Sequence, residues 1–281
     1  MKILILGSSG LLGKDIYKVL NKHYAVSHSG LAKRNCNFEK LNEIKKVLLY
    51  DYDLIINCIA ITDIEYCETN KKQSKKINED LLKKIFLLKK NYKLRFNFIH
   101  FSTDQMYNNK NSNSELSKPI IFNEYTKQKL NSEKICKKNK ALVFRINFIN
   151  QNKKNFFGWL IKQSILKKKI YLFNDIEFNP LRSKTISKII LKIIKKKKYK
   201  INGLFNLGSK GKITKAEFGI KVFRYLKKKI NYDICSSKHL FKTKRPNYMS
   251  MRLNKFSKFF NIKLPSIESE IINEIKNYKN R

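Results

Sequence analysis

Long apolar runs are missing from this sequence. A membrane-spanning helix needs about 20 consecutive apolar residues, and the best candidate, Leu54–Ile61, has only the length of a strand. The apolar run at the N-terminus breaks at Gly7, which does not fit the layout of a signal peptide. We therefore expect no membrane insertion and a cytoplasmic location.

Paired cysteines are also missing. The five cysteines are scattered and form no CxxC pair, which indicates a reducing compartment and argues against disulfides or structural zinc. The four histidines, His23, His28, His100 and His239, show no metal-ligand spacing. We assign them no role and predict no metal site.

Acidic residues are scarce, at 21 against 62 lysines and arginines, which gives a formal net charge of +41. Such an excess can indicate a nucleic-acid partner. The lysines are spread along the whole chain, however, and runs such as 195–198 follow apolar-periodic segments, where cations stabilise a helix C-terminus. No aromatic residues interleave with a basic motif, so we predict no nucleic-acid binding.

Glycine and proline are few, at nine and four, and three glycines stand close together at Gly7, Gly10 and Gly13. They follow the short, β-branched run Ile3–Leu6, which is typical of a buried parallel strand, and they open a predicted helix over residues 11–20. A glycine-rich turn between strand and helix lets backbone N–H groups approach a pyrophosphate. The GxxGxxG spacing therefore predicts a dinucleotide site, with a tight turn that holds no ligand as the alternative.

Strands and helices alternate regularly through the first half of the chain. Further strands are predicted at 24–27, 54–58, 96–101 and 142–146, and helices at 38–49, 72–90 and 122–138. This alternation indicates an α/β fold, a doubly wound parallel sheet of Rossmann type. We predict a dinucleotide-binding domain over 1–147 and a smaller mixed, mainly substrate-binding region over 148–281, from which some segments return to the sheet.

The loop after the second strand carries information on the cofactor. An acidic residue at the end of this strand would bind the adenosine ribose and select NAD, but none is present. His28, Ser29, Lys33 and Arg34 follow instead, and basic residues there tolerate a 2′-phosphate. We expect NADPH, with NADH left open.

Three side chains form a candidate catalytic set. Tyr125 and Lys129 are four residues apart on a predicted helix, so they share one face. A nearby ammonium lowers the pKa of a tyrosine, which can then exchange a proton with a carbonyl oxygen near neutral pH. Thr103, at the end of the fourth strand, could hydrogen-bond the same oxygen. The set suits hydride transfer to a ketone.

The ordered series of motifs resembles the extended short-chain dehydrogenase/reductases, and within them the dTDP-4-dehydrorhamnose reductase family, over nearly the full length. The motifs are the GxxGxxG turn, Asn37-Phe38, Asn57-Cys58-Ile59-Ala60 with Thr62, Asn78, Ser102-Thr103-Asp104 with Tyr107, Tyr125 and Lys129 with Glu133, Arg145, Asp175 through Pro180, Gly203 to Asn206, and Arg245-Pro246 with Lys255 and Leu264-Pro265.

The resemblance implies a function and a set of site residues. Tyr125 would protonate the C4 keto oxygen of a nucleotide-linked deoxysugar, dTDP-linked by analogy with the family. Lys129 would tune Tyr125 and hold the nicotinamide ribose, and Thr103 would orient the carbonyl. The cofactor contacts it implies are Gly7, Ser9, Gly10, Leu11, Leu12, Gly13, Asn37, Phe38, Cys58, Ile59, Ala60, Asn78, Tyr125 and Lys129. The product would serve surface polysaccharide synthesis. The oligomeric state stays open, a homodimer included.

Some residues depart from the family pattern. Thr126 and Gln128 replace a glycine and a small hydroxyl residue next to the tyrosine and lysine, the 177–179 turn lacks a glycine, and Arg252 replaces an aspartate. These departures leave the exact sugar open. Two further alternatives also stay open: an epimerase or dehydratase of the same superfamily, and a non-catalytic regulatory subunit that keeps the dinucleotide fold.

Overall fold

The computed structural model describes residues 1–29, 37–153, 155–166, 169–238 and 241–280. The expectations for Lys33, Arg34 and His239 therefore lie outside the described residues. Contacts within the chain divide it into two compact units. The first unit comprises Met1–Thr103, Ile121–Arg145 and Lys184–Phe205, and the second comprises Asp104–Ile120, Ile146–Ser183 and Asn206–Arg281. The boundary predicted at Asn147 remains a prediction, since these units interleave along the chain.

The first unit is built on a six-stranded sheet. Its strands are β1 (Lys2–Leu6), β2 (Ala25–Ser29), β3 (Leu54–Asn57), β4 (Asn97–Thr103), β5 (Leu142–Ile146) and, from later in the chain, β10 (Gly203–Leu207). The order is β10-β5-β4-β3-β1-β2, and β1 pairs in parallel with both β2 and β3, as β3 does with β4. Strands β1, β3 and β5 are buried on both faces, as their continuous apolar runs require. The predicted Rossmann-like α/β fold is confirmed.

Helices flank this sheet. They are α1 (Leu11–Leu20), α2 (Leu41–Leu48), α3 (Ile64–Thr69), α4 (Lys71–Lys75), α5 (Leu81–Asn91), α6 (Glu124–Lys138) and α8 (Ser183–Lys195). The long helix predicted over 72–90 is helical throughout, but it is not a single regular α-helix. A π-helical turn at Lys76–Asp80 separates α4 from α5, and the side chain of Asn78 in this turn bonds the backbone of Ile61. The predicted helix at 38–49 begins only at Leu41, because Phe38 packs into the core instead.

The second unit has its own apolar core. It contains α7 (Phe156–Leu166), α9 (Lys215–Leu226), α10 (Asn254–Phe260) and α11 (Ile267–Lys279), with short strands β6 (Phe148–Ile149), β7 (Ile170–Phe173), β8 (Glu177–Phe178), β9 (Leu181–Arg182), β11 (Ile213–Thr214) and β12 (Tyr232–Cys235). These strands form three two-stranded sheets. A capping box between Thr214 and Glu217 starts α9. In the described ranges, no helix is both long enough and apolar enough to cross a membrane.

Candidate active site

The glycine turn lies between β1 and α1 in the first unit. Gly7 has a φ of +81°, a conformation that favours glycine. A Cβ on Gly13 would stand 2.2 Å from the carbonyl oxygen of Gly7, whereas one on Gly10 would stand 3.2 Å from the same atom. Gly13 thus permits the close packing of α1 against the turn. Gly10 is the N-cap of α1, and no side chain bonds the free N–H groups there.

The other predicted cofactor residues of this region differ in their surroundings. Ser9 and Leu11 are exposed beside the turn, while Leu12 is buried in α1. The oxygen of Asn37 accepts a hydrogen bond from the backbone N–H of Glu39, and Phe38 lies in the apolar core. Phe38 therefore has a structural role in the described protein, in addition to the contact predicted for it.

The segment that leaves β3 is held by two asparagines. The Asn57 oxygen accepts a hydrogen bond from Ile59 N at 3.1 Å, which turns the chain past Cys58 and Ala60. Further along, the Asn78 oxygen accepts from Ile61 N at 2.8 Å, and its nitrogen donates to Ile61 O at 3.0 Å. The segment predicted to line the cofactor is thus fixed at both ends by side chains from the same unit.

Helix α6 begins with a capping box. The oxygen of Asn123 accepts from the N–H of Thr126 at 3.0 Å, and the N–H of Asn123 donates to the Thr126 hydroxyl at 3.1 Å. Thr126 therefore gives this helix a cap that the family's glycine would not provide. Gln128 bridges Asn78 at 2.9 Å and Ser74 at 2.8 Å. Both departures from the family pattern have structural partners.

Tyr125 and Lys129 lie one turn apart on α6, and both are buried. Tyr125 packs with Ile64 and Cys67 of α3. The Lys129 ammonium nitrogen lies 2.7 Å from the carbonyl oxygen of Phe101, two residues before Thr103 at the end of β4. The first unit therefore brings Lys129 to the strand end that carries Thr103.

Lys129 also contacts His100, to which we assigned no role from the sequence. The Lys129 nitrogen lies 3.1 Å from His100 Nε2, and His100 Nδ1 lies 3.1 Å from the side-chain nitrogen of Asn57. Burial lowers the pKa of Lys129 to about 8. Burial, together with the positive charge of Lys129, lowers the pKa of His100 well below its usual range. The imidazole is therefore neutral.

A buried ion pair anchors α6 beneath this network. Arg145 on β5 makes a bidentate contact with Glu133, at 2.8 Å from Nε to Oε1 and 2.6 Å from Nη2 to Oε2. The hydroxyl of Ser102 donates to the same carboxylate at 2.6 Å. These residues were known only as family motif positions, and their mutual contact sets the position of α6 against β4 and β5.

The second unit carries a separate group of polar residues, of which Asp104 is buried. Asp104 accepts a hydrogen bond from Asn147 at 2.7 Å, and burial raises its pKa to about 6. The amine of Lys215 lies 3.8 Å above the ring of Phe178 and 4.0 Å above that of Phe156. Burial lowers the pKa of Lys215 to about 7. Sequence analysis missed Lys215, because its aromatic partners are distant along the chain.

Metal ligands do not gather in the described part of the chain. No three His, Cys, Asp or Glu side chains cluster there as metal ligands would. Cys58, Cys67, Cys136 and Cys235 are free thiols.

Comparisons with known proteins identify a family model and several relatives. A family model described as the RmlD substrate binding domain matches residues 1–280. A relative in Haloferax volcanii, the probable low-salt glycan biosynthesis reductase Agl14, is 24% identical over 242 residues, which is 79% of each chain.

Solved structures share the fold. A dTDP-4-dehydrorhamnose reductase, an RfbD ortholog from Clostridium acetobutylicum, superposes with a TM-score of 0.90 at 22% identity, covering 99% of this chain and all of that one. The dTDP-4-dehydrorhamnose reductase of Bacillus anthracis, in complex with NADP, gives a TM-score of 0.89 at 20% identity, covering 98% and 99%. The resemblance predicted from the motifs is confirmed. Since the family model spans all but the last residue, this chain belongs to the RmlD substrate binding domain family.

Proposed function

We propose that this protein uses NADPH, or NADH, to reduce the 4-keto group of a nucleotide-linked deoxysugar, with a dTDP-linked sugar as the first candidate. The observation that carries the proposal is the position of Lys129. Its amine is fixed at the end of β4 by Phe101, one helical turn from Tyr125 and two residues from Thr103. A proton donor, its tuning cation and a carbonyl-orienting hydroxyl thus belong to one unit.

The same unit offers a fitting place for the dinucleotide. The Gly7–Gly13 turn leaves no room for side chains at Gly13, and the N-terminus of α1 has no side-chain cap and no acidic residue in its first turn. Free N–H groups and a positive dipole end suit a pyrophosphate. The proposed contacts are those predicted from the sequence, from Gly7 to Gly13, Asn37, Cys58 to Ala60 and Asn78. When bound, a nicotinamide cofactor supplies the hydride.

The residues of the chain would supply the proton. Tyr125 donates its phenolic proton to the C4 oxygen as the hydride arrives, so no free alkoxide has to form. Lys129 favours the phenolate that remains, because a positive charge beside a phenol stabilises the ionised form. Thr103 donates a hydrogen bond that orients the carbonyl.

The names of the relatives point in the same direction. Two of the structures that share the fold are dTDP-4-dehydrorhamnose reductases, one of them in complex with NADP, and the relative in Haloferax volcanii is a probable glycan biosynthesis reductase. A role in the supply of sugars for a surface glycan belongs to this proposal, as does the choice of sugar.

Turnover tests the proposal. Purified protein is supplied with a dTDP-4-keto-6-deoxy sugar and with NADPH or NADH, and oxidation is followed at the nicotinamide absorbance. We expect turnover in the wild type and a loss of at least about 100-fold in Tyr125→Phe, since a positioned general acid contributes about 10² to 10⁴.

Two matched variants control for nonspecific effects. Tyr66→Phe changes an exposed tyrosine of α3, and Lys127→Met changes an exposed lysine of α6, and both should keep wild-type rates. Equal rates for Tyr125→Phe and Tyr66→Phe would contradict the assignment of the acid. Cofactor binding without turnover of any keto sugar would favour the regulatory-subunit alternative.

A further inference from the structure

The hydrogen-bond pattern around Lys129 determines the protonation of its neighbour. The backbone N–H of Ile59 can only donate, and it lies 3.1 Å from the oxygen of the Asn57 side chain. This contact orients the Asn57 amide, so its nitrogen is the atom that faces His100 Nδ1 at 3.1 Å. An amide nitrogen donates and does not accept. His100 Nδ1 is therefore an acceptor, and the proton of the neutral imidazole sits on Nε2.

The Nε2–H group of His100 points at Lys129. The two nitrogens are 3.1 Å apart, and the Lys129 nitrogen also donates to Phe101 O at 2.7 Å. A neutral amine can accept from Nε2–H, whereas an ammonium would oppose one donor with another. The other tautomer of His100 would accept from an ammonium but would oppose the Asn57 amide. When Lys129 is charged, two buried hydrogen-bond donors therefore face each other in either tautomer of His100.

Among the described residues that face the Lys129 amine, the Glu133 carboxylate favours the ammonium form, and it offsets only part of this cost. The thiol of Cys58 and, on α6, Cys136 and Glu133 face the amine. Burial raises the pKa of Cys136 to about 12 and also raises the pKa of Cys58, so both thiols stay neutral. The Glu133 carboxylate is committed to Arg145 and Ser102. Lys129 is the charged group that acts on His100 within the described part of the chain.

We propose that His100 is a positioning residue of the active site, held by Asn57 in the Nε2–H tautomer, which donates to the amine of Lys129 whenever that amine is neutral. The inference rests on the proposed function for its catalytic consequence. Lys129 then takes up a proton only near the pH of the reaction. The alkaline midpoint of the rate profile therefore depends on the orientation of Asn57 and His100 as well as on the ionisation of Tyr125.

Nitrogen NMR of the ligand-free protein tests the tautomer without any turnover. With ¹⁵N-labelled histidine the chain shows only four imidazoles, and His100→Phe and His100→Gln each identify the His100 signals, so either variant that folds provides the assignment. We expect an unprotonated Nδ1 and a protonated Nε2 from pH 6 to 9. A protonated Nδ1, or an imidazolium in this range, would overturn the proposal.

The pH dependence of kcat tests the link to Lys129. Asn57→Leu removes the donor to Nδ1, so His100 can turn to the tautomer that accepts from an ammonium. The alkaline midpoint should move up by about one pH unit, a tenfold lower proton concentration, since one opposed donor pair is relieved. In a His100→Phe background the same change should leave the midpoint where it is.

The outcomes separate this proposal from the proposed function. A uniform drop of kcat at every pH in Asn57→Leu, with an unmoved midpoint, would mean a merely structural role and would overturn the proposal. If the wild type reduces no keto sugar, the proposed function fails, and the tautomer measured by NMR still decides whether His100 donates to Lys129.

Discussion

Replacing Glu133 by glutamine should destabilise the first unit strongly. Glu133 and Arg145 are both buried, and three hydrogen bonds of 2.6 to 2.8 Å converge on the carboxylate, two from Arg145 and one from Ser102. The glutamine amide would keep one acceptor oxygen, but its nitrogen would face the Arg145 guanidinium, donor against donor. The buried arginine would then have lost the negative charge of the carboxylate that it contacts.

The size of the effect follows from that uncompensated charge. Breaking one partner of a buried ion pair costs about 3–5 kcal/mol. For a chain of this size each kcal/mol lowers the unfolding midpoint by roughly 2–4 °C, so we expect Glu133→Gln to unfold roughly 6–20 °C below the wild type. Thermal unfolding followed by far-UV circular dichroism measures this, with Lys127→Ala on the exposed face of α6 as a control within about 1 kcal/mol.

A paired variant makes the reasoning refutable. Glu133→Leu combined with Arg145→Met replaces both charges by apolar groups of similar volume, which is often nearly neutral for buried pairs. Only the Ser102 hydroxyl then lacks its acceptor, at a cost of about 1–3 kcal/mol. A double variant no more stable than Glu133→Gln, or a Glu133→Gln midpoint within 2 °C of wild type, would show that the charge is not the cause.

Three further predictions follow from the described contacts. Gly13→Ala should reduce cofactor affinity at least tenfold and lower stability by about 1–3 kcal/mol, because its Cβ would stand 2.2 Å from the Gly7 oxygen. Gly10→Ala, whose Cβ would stand 3.2 Å from the same oxygen, should have a smaller effect. Calorimetric titration with NADPH compares the affinities of the two variants, and thermal unfolding compares their stabilities. Between pH 8 and 10.5 folded Lys129 is neutral while the unfolded side chain still binds a proton. The free energy of unfolding of the wild type should therefore rise with pH relative to that of Lys129→Met, by up to about 3 kcal/mol. Urea unfolding at pH 7 and pH 10 measures this, and an equal difference between the two proteins at both pH values would refute it. Asn179→Ala removes three buried hydrogen bonds to Ser209 and Met251. It should lower the free energy of unfolding of the second unit by about 2–4 kcal/mol, which faster amide hydrogen exchange there would show.

Periodicity was a good guide where local sequence and burial agree. The continuous apolar runs of β1 and β5 and the amphipathic pattern of α1 predict these elements within a residue, since a parallel strand must be apolar on both faces. The two-residue strands β6, β8, β9 and β11 are too short to leave a periodic signal. The π-helical turn at 76–80 depends on contacts of Asn78 with residues far along the chain, and no local pattern encodes those.

The residues of the candidate site also differ in whether a local sequence pattern reveals them. Tyr125, Lys129 and Thr103 were predicted because a spacing of four on a helix and a position at a strand end are readable from the chain, and their catalytic roles remain proposals. His100 was dismissed, since an isolated histidine carries no local signal. Its contacts with Asn57 and Lys129 join residues 43 and 29 positions apart. The parallel pairing of β3 with β4 sets Asn57 beside His100, and the packing of α6 brings Lys129 there.

The most direct test of the central claim is the fate of the hydride. The protein is incubated with a dTDP-4-keto-6-deoxy sugar and NADPH that carries deuterium at the transferable C4 position, and the product is analysed by NMR. The account predicts one deuterium at C4 of the sugar for each NADPH oxidised, and none in Tyr125→Phe over the same time. Interconversion of sugars without net oxidation of NADPH would contradict it and indicate an epimerase.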